Sequence, residues 1–81
     1  MLLEIITPDK KVYSGNINLV KVPGTNGSFE ILNNHAPIIS TLDQGEVKVV
    51  DENNTELFFN ITGGVIEVKD NHVIILADKT L

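Results

Sequence analysis

The chain has 81 residues, with six lysines and no arginine against eleven carboxylates, for a net charge of −5, and it contains no cysteine. That length is one small domain, able to bury about 60% or a little more of the surface its unfolded form exposes. The charge balance argues against nucleic acid and against adhesion to anionic lipid, which call for a basic face and phosphate-gripping arginine forks, and without thiols there is neither disulfide nor thiolate chemistry.

A hydrophobic fraction of 42% is ordinary for a folded core. No apolar run approaches the roughly 18 residues of a membrane span. The opening MLLEIITPDKK has Glu4 inside its apolar stretch, no cleavage-like site and no arginine, so it reads as neither signal nor transit peptide. The expectation is a protein made and used on the cytosolic side.

In chain order, LLEIIT is stopped by PDKK. NINLVKV is followed by PGTNG, and SFEIL by NNHAP. Then come IISTL before DQG, EVKVV before DENN, TELFFNIT before GG, VIEVK before DN, and finally HVIILAD. β-rich runs recurring about every 8 to 12 residues predict an all-β sandwich or barrel. No window carries the 3.6-residue period of an amphipathic helix. No linker, low-complexity segment or internal repeat interrupts the pattern.

Alternation assigns the faces. Leu57, Phe59 and Ile61 share one side, opposite Phe58, Asn60 and Thr62, and Ile66 and Val68 point away from Glu67 and Lys69. Val73 to Ala77 is apolar on both faces, which predicts a central strand or one that meets a partner. In INLVKV, Ile17 and Leu19 are out of step with Val20 and Val22. A bulge, or a strand passing between two sheets, explains that change of phase.

The chemistry-bearing residues are few. His35, in NNHAP, has no nucleophile-elbow serine to serve, and with His72 it is one of two histidines far apart in sequence, short of a zinc set. Its simpler reading is a loop residue that, with Asn33 and Asn34, hydrogen-bonds the chain before Pro37 leads into the next strand. PGTNG lacks the Lys-Ser/Thr and the helix of a phosphate loop and reads as a turn in which Asn26-Gly27 supplies positive φ. Thr62-Gly63-Gly64 reads as a sharp corner or a close backbone approach. The terminal ADKTL carries the Asp-Lys pair of lipoyl-carrier domains, but only Thr80 and Leu81 follow Lys79, too little for a return strand. The residues describe a binding module without a visible catalyst, metal site or cofactor.

One stretch goes further. VPGTNGSFEILNNHAPIISTLDQGEVKV, Val22 to Val49, resembles the ε subunit of F-type ATP synthase: a glycine turn, a short strand, a His-Ala-Pro loop, an apolar strand, and a glycine before a V-x-V strand. Tyr13-Ser14-Gly15, Phe59-Asn60-Ile61-Thr62-Gly63-Gly64 and Val73 to Asp78 are similar to further elements of that family, in the same order. The resemblance implies a single ε N-terminal-type domain over residues 1–81, a two-sheet β-sandwich of about ten short strands, without the helical hairpin the family usually adds. It implies a non-catalytic rotor subunit between the γ shaft and the c-ring, coupling proton flow to ATP synthesis on the cytoplasmic face of the bacterial inner membrane, with no cofactor. Asn26, Gly27, Ser28, Asn33, Asn34 and His35 are the expected contacts to γ and the c-ring. Glu30 departs from the family, which commonly has glycine there; alternation sends it outward from Phe29 and Ile31. The other reading is a freestanding β-sandwich that binds a small ligand or carbohydrate in a pocket walled by Tyr13, Phe29, Phe58 and Phe59. An enzyme would require His35 to meet His72 or two carboxylates.

Overall fold

A computed structural model describes residues 1–81. Eight strands follow one another without a helix: β1 (Leu2–Ile6), β2 (Lys11–Val22), β3 (Phe29–Leu32), β4 (Ile38–Leu42), β5 (Gly45–Asp51), β6 (Glu56–Ile61), β7 (Gly64–Lys69) and β8 (His72–Ala77). They match the eight runs read from the sequence. The expected count of about ten is corrected to eight, because residues 11–22 form one continuous strand and Gly24 and Thr80 contribute single bridges instead of strands.

β2 organises the domain. Its first half pairs with β1, from Leu2↔Asn16 to Ile6↔Lys11, and its second half lies between β3 and β5, as in Lys21↔Glu30 and Lys21↔Lys48. The register to β5 shifts between Ile17 and Leu19. Ile17 and Val20 are both buried although an odd number of positions separates them, so one residue must drop out of the alternation. Asn18 lies in that interval and its side-chain amide donates to the Asp51 carbonyl at 3.1 Å. A bulge bends and twists its strand, and here it carries β2 from one sheet into the other. Both explanations of the phase change therefore hold together. The two layers are also hydrogen-bonded into one path, β4-β7-β8-β1-β2-β5-β6, with β3 beside β2.

β8 is central, antiparallel to β7 and parallel to β1. The inner faces enclose fifteen buried apolar residues, among them Leu3, Ile5, Val20, Val47, Ile66 and Ile75. Burying one such aliphatic side chain stabilises the fold by about 1.5–3 kcal/mol. Tyr13, Phe29 and Phe59 pack at the margin of this core, which is otherwise aliphatic.

Turn chemistry fixes the ends. Asp70 and Asn71 both take positive φ (52° and 59°), the two-residue geometry that suits the twist of the β7–β8 hairpin. In PGTNG only Gly27 has positive φ, at 121°, so the turn does not use Asn26 in that way. The close approach expected at Gly63-Gly64 is real: a Cβ on Gly64 would collide with the Leu76 carbonyl oxygen.

Candidate functional site

The six residues singled out in the sequence fall into two clusters. Asn33, Asn34 and His35 follow β3, where the chain leaves Leu32 opposite Leu19. Asn34 has φ of 63°, and its N–H donates to Asn71 Oδ1 at 2.7 Å, which fastens the loop to the β7–β8 hairpin. Asn33 Oδ1 accepts from the Met1 amine at 2.9 Å. The His35 N–H donates to the Leu32 carbonyl, and its Nδ1 lies 2.7 Å from the Ala36 carbonyl oxygen. Since that oxygen only accepts, Nδ1 carries the hydrogen. The loop-shaping role is visible in these bonds, and the outer edge of the ring stays exposed.

Asn26, Gly27 and Ser28 precede β3 at its other end, beside Val22. Five residue steps at about 3.3 Å each put the near ends of the clusters, Ser28 and Asn33, roughly 16 Å apart. This turn is closed by the Gly27 N–H on the Gly24 carbonyl at 3.0 Å. It is tied to β4 by the Thr25 and Thr41 hydroxyls, 2.8 Å apart. Thus the two clusters flank opposite ends of β4, one leading into Ile38 and the other held against Thr41.

Between them lies a feature the contact expectation missed. The outward side chains of β4, β7, β8 and β1 form two rows across the sheet. One is Thr41, Val65, Leu76 and Ile6; the other is Ile39, Glu67, Ile74 and Glu4. Ile39 is 72% exposed and Leu76 53%. A depression of about 340 Å³ is lined by Ile6, Ile39, Val65, Glu67, Ile74 and Leu76. Single exposed aliphatics are normal on any surface, but a contiguous set marks a surface made for contact. The sequence signal was the strand apolar on both faces, residues 73–77.

Charges on this face are unequally placed. Glu4 Oε2 is 2.9 Å from the Lys11 ammonium and Glu4 Oε1 2.8 Å from His72 Nε2. The bond from Lys11, then that from His72, holds the Glu4 carboxyl below its ordinary value. Glu67 has no such partner, since the ion pairs of the domain join Lys11 to Glu4 and Lys48 to Glu56, and His72 is bonded to Glu4.

The pocket expected of a ligand-binding sandwich does not form. Phe58 points outward and is 52% exposed, while Phe59 packs edge-on against Tyr13 at 5.7 Å between centroids. Burial, helped by the nearby Asp51 charge, pushes the Tyr13 phenol up. No aromatic side chain lines any of the four surface depressions. The meeting of His35 with His72 or two carboxylates, which an enzyme would require, is not formed. His72 is bonded to Glu4 and His35 to its own loop, and no group of three His, Asp or Glu side chains is arranged to hold a metal ion. Glu30 is exposed on the outer face beside Lys21, as alternation predicts.

Fold and site together define an all-β sandwich domain that offers turns and one apolar sheet face to its surroundings. Residues 1–81 match the family described as ATP synthase, Delta/Epsilon chain, beta-sandwich domain. The chain belongs to that family. It is 42% identical over 77 residues to the ATP synthase epsilon chain of Chlorobaculum tepidum, covering 95% of this chain and 88% of that one. It is also 42% identical over 76 residues to that of Pelotomaculum thermopropionicum, of which it spans 56%. Its fold matches a chain of the Euglena gracilis mitochondrial ATP synthase (OSCP/F1/c-ring) with a TM-score of 0.94 at 19% identity, covering 100% of this chain and 52% of that one. It matches a chain of the Tetrahymena thermophila ATP synthase central stalk/c-ring with a TM-score of 0.85 at 22% identity, covering 100% and 65%.

Proposed function

We propose that this chain is a non-catalytic rotor subunit of an F-type ATP synthase, resting on the peripheral cytoplasmic side of the bacterial inner membrane. There it links the γ shaft to the c-ring and couples proton flow to ATP synthesis. The observation that carries the reading is the family match over residues 1–81, made by a domain whose contact features sit on rigid elements. A coupling part must transmit force without yielding. The aliphatic core and the continuous hydrogen-bonded path through eight strands supply that stiffness.

Two partners require two contact regions. The Asn33–His35 loop and the Asn26–Ser28 turn lie at opposite ends of β4, so one rigid body presents a separate surface to each. The net charge of −5 suits basic partner loops, since opposite potentials set register and speed encounter. Nothing in this role calls for a cofactor. The work is mechanical.

The test is functional replacement. Membranes carrying the enzyme without its ε subunit should recover ATP-driven proton pumping when this chain is added. Binding without recovered pumping would refute the coupling role.

A further inference from the structure

We infer that Glu67 is the charged specificity determinant of the apolar sheet face, and that the surface docking there carries an arginine or lysine aimed at its carboxylate. This rests on the rotor reading above, which makes the occupant the γ shaft.

The argument starts from the row Ile39–Glu67–Ile74–Glu4, which runs across β4, β7, β8 and β1 with acids and aliphatics alternating. Two carboxylates occupy the same face and are treated differently. Glu4 is neutralised from within by Lys11 and hydrogen-bonded by His72. Glu67, between the exposed Ile39 and the half-buried Ile74, pairs with nothing in the domain. It also belongs to the rim of three adjoining depressions, so a surface seated in any of them covers it. In the free domain water solvates the carboxylate. Under a docked apolar surface it would lose that water, and a buried charge without a partner is strongly unfavourable. A complementary cation converts the same group from an obstacle into a selector.

The charge also decides among occupants. A lipid surface is disfavoured, because the acid stands in the middle of the apolar set and the chain carries net −5. A second copy docked by a two-fold axis through this face would bring two Glu67 carboxylates toward each other. Lys69, exposed two residues along the same strand, forms no ion pair with Glu67, so a protein surface that is apolar with one basic side chain at its centre matches the apolar set and supplies the cation Glu67 lacks.

The depressions continue from Ile39 and Glu67 through Pro37 to Asn34 and His35. The proposed face and the His35 loop therefore form one continuous surface, with the Asn26–Ser28 turn left for the second partner.

The experiment is titration calorimetry of the purified γ subunit from the same organism against the wild-type chain and two variants, Leu76→Asp and Glu67→Gln, at low and at moderate salt. Both side chains are exposed, so both variants keep the fold, checked by circular dichroism. Leu76→Asp should abolish measurable binding. Glu67→Gln should weaken it about thirtyfold or more and flatten its salt dependence. If Leu76→Asp abolishes binding while Glu67→Gln binds as well as or better than wild type, the role of Glu67 is overturned and the rotor reading stands. If both variants bind like wild type, the face is not the docking surface and the inference fails, again without touching the rotor reading. If the folded wild-type chain does not bind γ at all, both fail together.

Discussion

His72 Nε2 donates a 2.8 Å hydrogen bond to Glu4 Oε1, joining residues 68 positions apart in the chain. A carboxylate only accepts, so the bond fixes which ring nitrogen carries the hydrogen. It fastens the last strand to the first beside the parallel pair Leu2↔His72. Parallel pairing is the less stable kind per residue, so a side-chain tie across it has value.

The Glu4 network makes acid stability predictable in sign. The Lys11 and His72 bonds lower the Glu4 pKa from 4.5. A lowered carboxyl contributes stability that is fully present above its unfolded value, and that stability drains away as pH falls through the lower folded value. Thermal melts of wild type and Glu4→Gln should therefore differ most near neutral pH and converge in strong acid. A gap that stays constant across that range would contradict the assignment.

Asp51 organises the β5–β6 connection. Its Oδ1 accepts from the N–H of Asn53 at 2.8 Å and of Thr55 at 2.9 Å, while Asn54 takes φ of 62°. Asp51→Ala should cost about 1–2 kcal/mol in denaturant unfolding, because both amides then turn to water and the loop loses its internal acceptor.

Two glycines should respond differently to alanine. Gly64→Ala places a Cβ into the Leu76 carbonyl on the central strand and should cost about 2 kcal/mol or more. Gly27→Ala meets no neighbouring atom and suffers only from its φ of 121°, so about 1–2 kcal/mol is expected. Equal losses would mean that the close packing at Gly64 is relieved cheaply.

His35→Ala removes an exposed ring whose one bond stays within its own loop. Stability should change by no more than about 0.5 kcal/mol. Affinity for the γ subunit should fall. An unchanged affinity in calorimetry would remove His35 from the contact surface.

Much of this fold is legible in the chain, because period-2 alternation reports directly on which side chains a sheet buries. Ile66 and Val68 against Glu67 and Lys69, and the broken phase at Ile17 and Val20, each announce their geometry. The parallel β1–β8 pair is not legible, since alternation says nothing of which strands become neighbours. At the surface, turn chemistry marks Asn26 to Ser28 and Asn33 to His35 as loop residues, but the expectation that they touch partners comes from the family resemblance alone. The apolar face is harder to see. Ile39, Val65, Ile74 and Leu76 lie on three runs that look individually like core, and only the register across β4, β7 and β8 gathers them around Glu67.

The central claim is that this domain is a rotor part with its own binding surface. The most direct measurement is size-exclusion chromatography of the chain with the γ subunit from the same organism, each first shown to be folded. The account predicts a stable one-to-one complex eluting ahead of both. Separate elution at micromolar concentration would contradict it.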